Sequence, residues 1–330
     1  NNNINKIYKQ AIEFNVKKIV IFNKKKYIQN QNKFKKNKIK VFFRTKDALI
    51  NLNCKAYLTI NAISGIEGLE PTLDTIKYSK NLAIANKESI ICGWKFIQNE
   101  LKKNKTNFIP LDSEHFSIWS LMKNDNIKNI RKIYLTASGG PFLNKKLKDI
   151  KNVKPKYALN HPNWRMGKKI SIDSATMMNK IFEVIEAVKI FDLNSDKFEI
   201  LIHPKSFVHA IVHYKTGLTK FLAHNTTMQI PIINSIYSQQ DTYEFDTNNF
   251  NFKNLNGKNF IKPNKLNYPL LKILKNNFKN TYFEIILVSI NDFLVNKYLE
   301  NKIKYYLIHQ LLLKLIKIPF FKKYYNIKPK

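Results

Sequence analysis

The sequence predicts an α/β protein in three parts: a doubly wound parallel sheet, a mixed α+β region and a helical C-terminal region. Three observations carry this. Short apolar strands alternate with helices from residue 4 to about 114, and such alternation produces a parallel sheet. Near Lys132 the texture changes to strands, a glycine turn and a Pro-rich loop. From Tyr268 onward the apolar spacing is helical.

Taken in order, Ile4–Asn15 reads as an amphipathic helix and KKIVIF (17–22) as a buried strand. The Lys/Asn tract at 23–39 reads as a solvated loop, followed by a short helix at Asp47–Leu52. AYLTINAI (56–63) is a strand, Pro71 to Lys80 a helix with proline in its first turn, and NLAIAN (81–86) a strand. A helix follows from Lys87 to Lys103, then the strand NFIPLDSE (107–114). Parallel sheets bind ligands at the C-terminal ends of their strands, which is where NAISG, ANKES and LDSEH fall. Beyond them come the strand IYLTAS, one long helix from Ala175 to about Phe191, and the strands EILIHP (199–204) and VHAIVHYK (208–215). Residues 238–267 read as a polar linker, with helices near Ile290–Asn301 and Tyr305–Ile316 after it.

Composition narrows the function. With 44% hydrophobic and 13% aromatic residues, the chain is not intrinsically disordered. The net charge of +34 suggests nucleic acid. However, the excess is almost all lysine, spread along the chain, with Arg44, Arg131 and Arg165 the only arginines. Base reading and two-point phosphate clamping favour arginine, so no nucleic-acid partner is expected. The positive field still attracts an anionic substrate. Cys54 and Cys92 have no metal-ligand spacing and fit a reducing compartment. The most apolar run, FEIILVSINDFLV (283–295), is broken by Asn291 and Asp292, so no membrane span is expected. The A+T-rich residue bias and the start without a transit-like leader predict a bacterial cytoplasm, with a plastid-type organelle as the alternative.

Chemistry-bearing residues concentrate in a few places. Asp112 and Glu114, two apart on an expected strand end, share a face. Glu183 lies on the helix expected after Asp173-Ser174. Three carboxylates make a hard, oxygen-rich site for Mg²⁺ or Mn²⁺. Acid pairs are common on surfaces, but only 23 acids occur among 57 bases here, which favours a ligand role. Ser174 is read at or next to a helix N-cap, where anions are favoured. Lys180 adds a charge and Asn179 a donor on or beside the Glu183 face. The bland alternative is a capped amphipathic helix with Met177, Met178, Phe182 and Ile185 as core. Ser138-Gly139-Gly140-Pro141 is either a turn or an anion-approach loop. His161 and Trp164 sit in a proline-bounded loop ahead of Gly167; the tryptophan reads equally as lid or core. His203, His209 and His213 are read as structural or surface groups, with no second metal.

Together, GLEPTLDTI (68–76), ANKESIICG (85–93), PLDSEH (110–115), TASGGPF (136–142), HPNWRMGKKISIDSATMMNK (161–180), EVIEA (183–187) and ILIHPKSFVHAIVHY (200–214) resemble the 1-deoxy-D-xylulose 5-phosphate reductoisomerase family. The resemblance runs to about residue 315. It implies a Rossmann-like NADPH-binding domain over residues 1–111 and a catalytic, metal- and substrate-binding domain over 112–237. A linker over 238–267 and a helical domain over 268–330 follow. Asp112, Glu114 and Glu183 are implied as ligands of one divalent cation, Mg²⁺ or Mn²⁺. Lys87 and Ser113 are implied to touch the substrate, and Ser138, Ser174, Asn179 and Lys180 to hold its phosphate beside His161. Trp164 and Met166 are implied as the flap, and Asn86, Glu88 and Gly167 as NADPH contacts. The implied reaction rearranges and reduces 1-deoxy-D-xylulose 5-phosphate to 2-C-methyl-D-erythritol 4-phosphate in isoprenoid biosynthesis, in a homodimer.

The sequence departs from the family pattern in several places. The glycine-rich GxTGSIG-type turn does not occur, so the first βαβ unit is expected to be missing. MNKIFE replaces MNKGLE, Arg165 replaces a small flap residue, and AHNTTMQIPI replaces GxPDMRxPI. The helical C-terminal region reads as short by a helix. These departures leave two alternatives to an active enzyme: a truncated or degraded member that binds sugar phosphate without reducing it, and a Lys-rich nucleic-acid binder.

Overall fold

Residues 3–50, 52, 54–237, 253, 256–257 and 259–329 are described by a computed structural model. Helix α1 (Ile4–Glu13) starts at Asn3, whose side chain accepts from Lys6 N–H at 3.0 Å. Strand β1 (Lys18–Val20) follows. The Lys/Asn tract is not a loop: Lys24–Lys35 form helix α2. Lysine and glutamine are good helix formers, Asn23 caps the helix at Lys26 N–H, and Phe34 is fully buried against Ala11, Ile19, Ile21 and Ile39. Strand β2 (Lys40–Phe42) pairs parallel with β1, and α3 (Thr45–Leu49) follows.

Strands β3 (Ala56–Asn61), β4 (Ser79–Ile84) and β5 (Asn107–Pro110) form a second parallel sheet, joined by α4 (Leu69–Ile76) and α5 (Lys87–Asn104). Among the described residues no ladder joins β1 to β3, so the doubly wound sheet stands as two parallel pieces. After Pro110 the chain turns into helix α6 (Ser113–Leu121) instead of extending the strand. Asp112 causes the change by capping Glu114 N–H at 3.2 Å.

Strand β6 (Ile130–Ala137) and helix α7 (Pro155–Ala158) lead to a second correction. The single long helix expected from Ala175 is two: α8 (Lys168–Ala175) and α9 (Met178–Phe191). Met177 breaks them apart in the left-handed conformation, φ 66°. Strands β7 (Phe198–Ile202), β8 (Val208–Tyr214) and β9 (Thr219–Ala223) complete a mixed sheet of order β7-β6-β8-β9. Helix α10 (Gln229–Ile236) follows. Neither β9 nor α10 was read from the sequence. Most of the expected linker, residues 238–252, lies outside the described residues, while Ile261 bridges to Ile202.

Helix α11 (Tyr282–Leu299) begins well before Ile290, fixed by a Thr281/Glu284 capping box. It is followed by α12 (Tyr305–Leu315) and α13 (Pro319–Lys322). Helix α9 runs through the largest apolar cluster between the mixed sheet and α11–α12, with Ile181, Phe182 and Ile185 almost wholly buried. Each such side chain contributes ~1.5–3 kcal/mol. Tyrosines tie this C-terminal layer to the Gly139 turn and to the end of α8. Tyr268 donates to Gly139 O at 2.8 Å and Tyr305 to Ala175 O at 2.8 Å.

Candidate functional site

Helices α5, α6 and α9 bring their first turns together. Lys87 opens α5, Asp112 and Glu114 stand at the start of α6, and Asn179, Lys180 and Glu183 lie on the first turns of α9. Asp112 and Glu114 converge through a helix cap, not through the strand-end alternation expected from their spacing. One oxygen from each of Asp112, Glu114 and Glu183 lies within 4.8 Å of the others.

Two ammonium groups balance these acids. Lys180 Nζ lies 2.6 Å from Glu114 and 2.5 Å from Glu183. Lys87 Nζ pairs with Asp112 and lies 3.5 Å from Glu183 and 3.6 Å from Glu186. Burial opposes the Lys87 charge, but these acids outweigh it and hold the ammonium well above its usual range. Burial and the Glu114 carboxylate push Glu183 up to about 7. Burial also raises Glu186 to about 7, against the pull of Lys87 and His115. His115 is wholly buried and donates from Nε2 to Glu183 O at 2.8 Å. Burial disfavours its charge, yet Glu186 and Asp112 lift it to about 9. The carboxylates therefore form a cation-seeking cluster that lysines and a histidine hold together. The fit to a hard divalent ion is good: the donors are oxygens, and Glu183 Oε2 lies against Lys180 without a well-aligned hydrogen bond.

Beside the carboxylates is a cavity of about 170 Å³ lined by Asp112, Ser113, Glu114, Ser138, His161, Trp164, Met166, Ser174, Asn179, Lys180 and Glu183. Ser174 is not at a helix N-cap; it lies in the last turn of α8. The helix tip facing the cavity is that of α9, through Met177, Asn179 and Lys180. Asn179 Nδ2 donates to Glu183 Oε1 at 2.6 Å, and Ser113 Oγ donates to Glu114.

Ser138 follows β6, where Gly139 and Gly140 have φ of 85° and 69°, a region that glycine enters freely. His161 Nδ1 accepts from Asn163 N–H at 3.2 Å and Trp164 N–H at 3.0 Å. Its proton is therefore on Nε2, which donates to Ser138 Oγ at 2.9 Å. Burial and the Lys180 charge push His161 down to about 4. Ser138 Oγ also accepts from Gly140 N–H at 3.0 Å, so its own hydrogen is free to donate to an anion. Asn163 Nδ2 anchors the loop to Pro204 O at 2.6 Å.

The three residues implied as NADPH contacts do not line this cavity. Asn86 accepts from Ser89 N–H and donates to Gly65 O at 2.7 Å, so its side chain caps α5 and holds the 63–65 turn. Glu88 pairs with Lys169 at 2.9 Å. Lys169 also reaches Asp173 at 2.9 Å and Asp292 at 3.0 Å, joining α5, α8 and α11. A Cβ on Gly167 would meet nothing within 4 Å, which leaves room beside the loop.

Several groups here were not read from the sequence. His209, taken as structural, lines the cavity. Glu186 and His115 are buried partners of Lys87 and Asp112. The sequence hint for both was an acid and a histidine one helical turn from residues already singled out.

Three family models match the chain. The 1-deoxy-D-xylulose 5-phosphate reductoisomerase model covers residues 1–93, the C-terminal domain model of that enzyme covers 108–191, and a DXP reductoisomerase C-terminal domain covers 224–328. The 1-deoxy-D-xylulose 5-phosphate reductoisomerase of Pelagibacter ubique (strain HTCC1062) is 50% identical over 333 positions, spanning 100% of this chain and 86% of the relative. That of Sulfurihydrogenibium sp. (strain YO3AOP1) is 39% identical, spanning 87% and 76%. A crystal structure of DOX-P reductoisomerase in complex with NADPH, fosmidomycin and magnesium superposes with a TM-score of 0.87 at 28% identity, covering 98% of this chain and 82% of the other. The Zymomonas mobilis enzyme in complex with NADPH gives 0.86 at 28% identity, covering 100% and 84%. Full-length identity of this order, with the carboxylate cluster and the Ser-Gly-Gly turn beside it, leaves one conclusion: the chain belongs to the 1-deoxy-D-xylulose 5-phosphate reductoisomerase family.

Proposed function

We propose that this chain converts 1-deoxy-D-xylulose 5-phosphate to 2-C-methyl-D-erythritol 4-phosphate with NADPH and one Mg²⁺ or Mn²⁺ ion. The observation that carries the reading is the convergence of Asp112, Glu114 and Glu183 beside a cavity lined by Ser138, Ser174, Asn179 and Lys180. The NADPH and magnesium named for the solved relatives support the cofactors. The intact cluster favours an active enzyme over a degraded one.

Asp112, Glu114 and Glu183 hold the cation, which supplies charge stabilisation on substrate oxygens. Ser138, Ser174, Asn179 and Lys180 bind the phosphoryl group, and Lys180 leaves its carboxylates to do so. Neutral His161 orients Ser138 as a donor. Lys87 keeps Asp112 ionised, and Ser113 orients Glu114. Trp164 and Met166 close over the substrate and exclude water. Asn86, Glu88 and Gly167 flank the NADPH side, where the nicotinamide supplies hydride. The reading includes the domains 1–111, 112–237 and 268–330 about the 238–267 linker, a homodimer, and a bacterial cytoplasm. The bacterial relatives support that location, and no helix among the described residues is long and apolar enough to cross a membrane.

The test is NADPH oxidation by purified protein. Turnover should require both the sugar phosphate and Mg²⁺ or Mn²⁺. Glu114→Gln should lower it roughly a hundredfold. Turnover without metal, or unchanged in that variant, refutes the assignment.

A further inference from the structure

Strands β8 and β9 slip register at one point. Val208 pairs with Ala223 and Ala210 with Leu222, so His209 is the extra residue of a bulge. Bulges re-aim side chains, and this one points an imidazole at the cavity. His209 Nε2 lies 3.2 Å from the His224 carbonyl. A carbonyl only accepts, so Nε2 carries the proton.

His224, immediately after β9, lies flat against that ring. The centroids are 3.7 Å apart and the planes 17° from parallel. His224 Nδ1 donates to Asn225 O at 2.7 Å, while its Nε2 is buried with no hydrogen-bond partner among the described residues. Burying an unpaired nitrogen is unfavourable, so the stack is what justifies a ring in this place. Trp164 meets His209 edge-on from the cavity loop, with centroids 6.1 Å apart at 73°. Three rings thus run from the sheet to the loop.

We propose that His224 is a positioning residue: its imidazole stacks on His209 and so fixes the ring against which Trp164 seats. The inference rests on the reading of Trp164 as a substrate-covering residue. Without the outer ring, His209 can rotate into the vacated space and the closed loop becomes less populated. Apparent substrate affinity then falls by that fraction, with the chemistry unchanged.

The experiment compares wild type, His224→Ala, His224→Asn and His224→Phe in steady-state kinetics with deoxyxylulose phosphate, NADPH and Mn²⁺. It also follows the substrate-induced change in tryptophan fluorescence, with the Trp164 share defined as the part absent in Trp164→Phe. The Ala and Asn variants should raise KM about fivefold to tenfold, with kcat within about twofold, and should lose most of the Trp164 signal. The Phe variant, which keeps a stacking ring, should stay within about twofold of wild type in both. If the Ala variant does not fold, the Asn and Phe pair decides. Wild-type KM and fluorescence in the Ala or Asn variant overturn the proposal, as does a Phe variant as impaired as Asn. An inactive wild type would instead count against the enzyme reading.

Discussion

Replacing Lys180 with Met separates the electrostatic from the catalytic part of the site. The Lys180 side chain is 6% exposed, and its Nζ lies 2.6 Å from Glu114 and 2.5 Å from Glu183, itself 2% exposed. Removing one partner from a buried ion pair costs about 3–5 kcal/mol. The lower end applies, because Glu183, already near 7, takes up a proton in the variant and relieves part of the repulsion. A divalent ion should replace the lost ammonium. At a hundred times its Kd, a ligand returns about 2.7 kcal/mol. It should return more to the variant than to wild type, where the ion must first displace Lys180. The assay is urea unfolding of both proteins in chelator and in saturating Mn²⁺. A deficit of about 3 kcal/mol in chelator should shrink by at least half in Mn²⁺, while turnover should stay low because the proposed phosphoryl contact of Lys180 is lost. An equal deficit in both conditions would show that the carboxylates do not share a cation.

Other outcomes follow from the same geometry. Ser138→Ala removes the donor freed by His161 and Gly140, so KM for the sugar phosphate should rise roughly tenfold to a hundredfold; an unchanged KM means that Ser138 does not reach the anion. Gly140→Ala puts a side chain at φ 69° with its Cβ 3.0 Å from Ser174 O. It should cost about 2 kcal/mol in chemical denaturation and raise KM by displacing Ser174, and wild-type stability would refute this. His309 is buried, neither ring nitrogen has a hydrogen-bond partner among the described residues, and burial pushes it from 6.5 down to about 4. The unfolded chain therefore binds the extra proton between those values, and stability present above pH 6.5 is lost as pH falls toward 4. His309→Leu should flatten that window by up to about 3 kcal/mol, and an unchanged slope excludes His309 as the cause.

The parallel strand–helix units were legible because their apolar periods are unambiguous; α5 was read over Lys87–Lys103 and spans Lys87–Asn104. Helix α2 was hidden because its buried face rests on Phe34 and its neighbours within a Lys/Asn background. The break at Met177 was invisible because methionine carries no signal for φ 66°; it arises from packing. The site was legible as residue types, and Asp112, Glu114 and Glu183 do converge. Their mechanism of convergence was not, since Asp-Ser-Glu suits a strand end as well as a helix cap. Glu186 and His115 escaped because Lys87 and the Glu183 carbonyl, which they meet, lie on elements distant in sequence, and His209 because a register shift between β8 and β9 aims it.

Lys169 has a consequence beyond holding helices together. From its place two residues after Gly167, one ammonium serves Glu88 on α5, Asp173 on its own helix and Asp292 on α11. A dinucleotide bound at the α5 start, as proposed, would change the Glu88 share of that charge, and with it the tether on the loop. If the loop closes over substrate and Glu88 flanks the dinucleotide, as proposed, occupancy of one side and closure over the other would be thermodynamically linked, and the factor by which each favours the other would be the same in both directions.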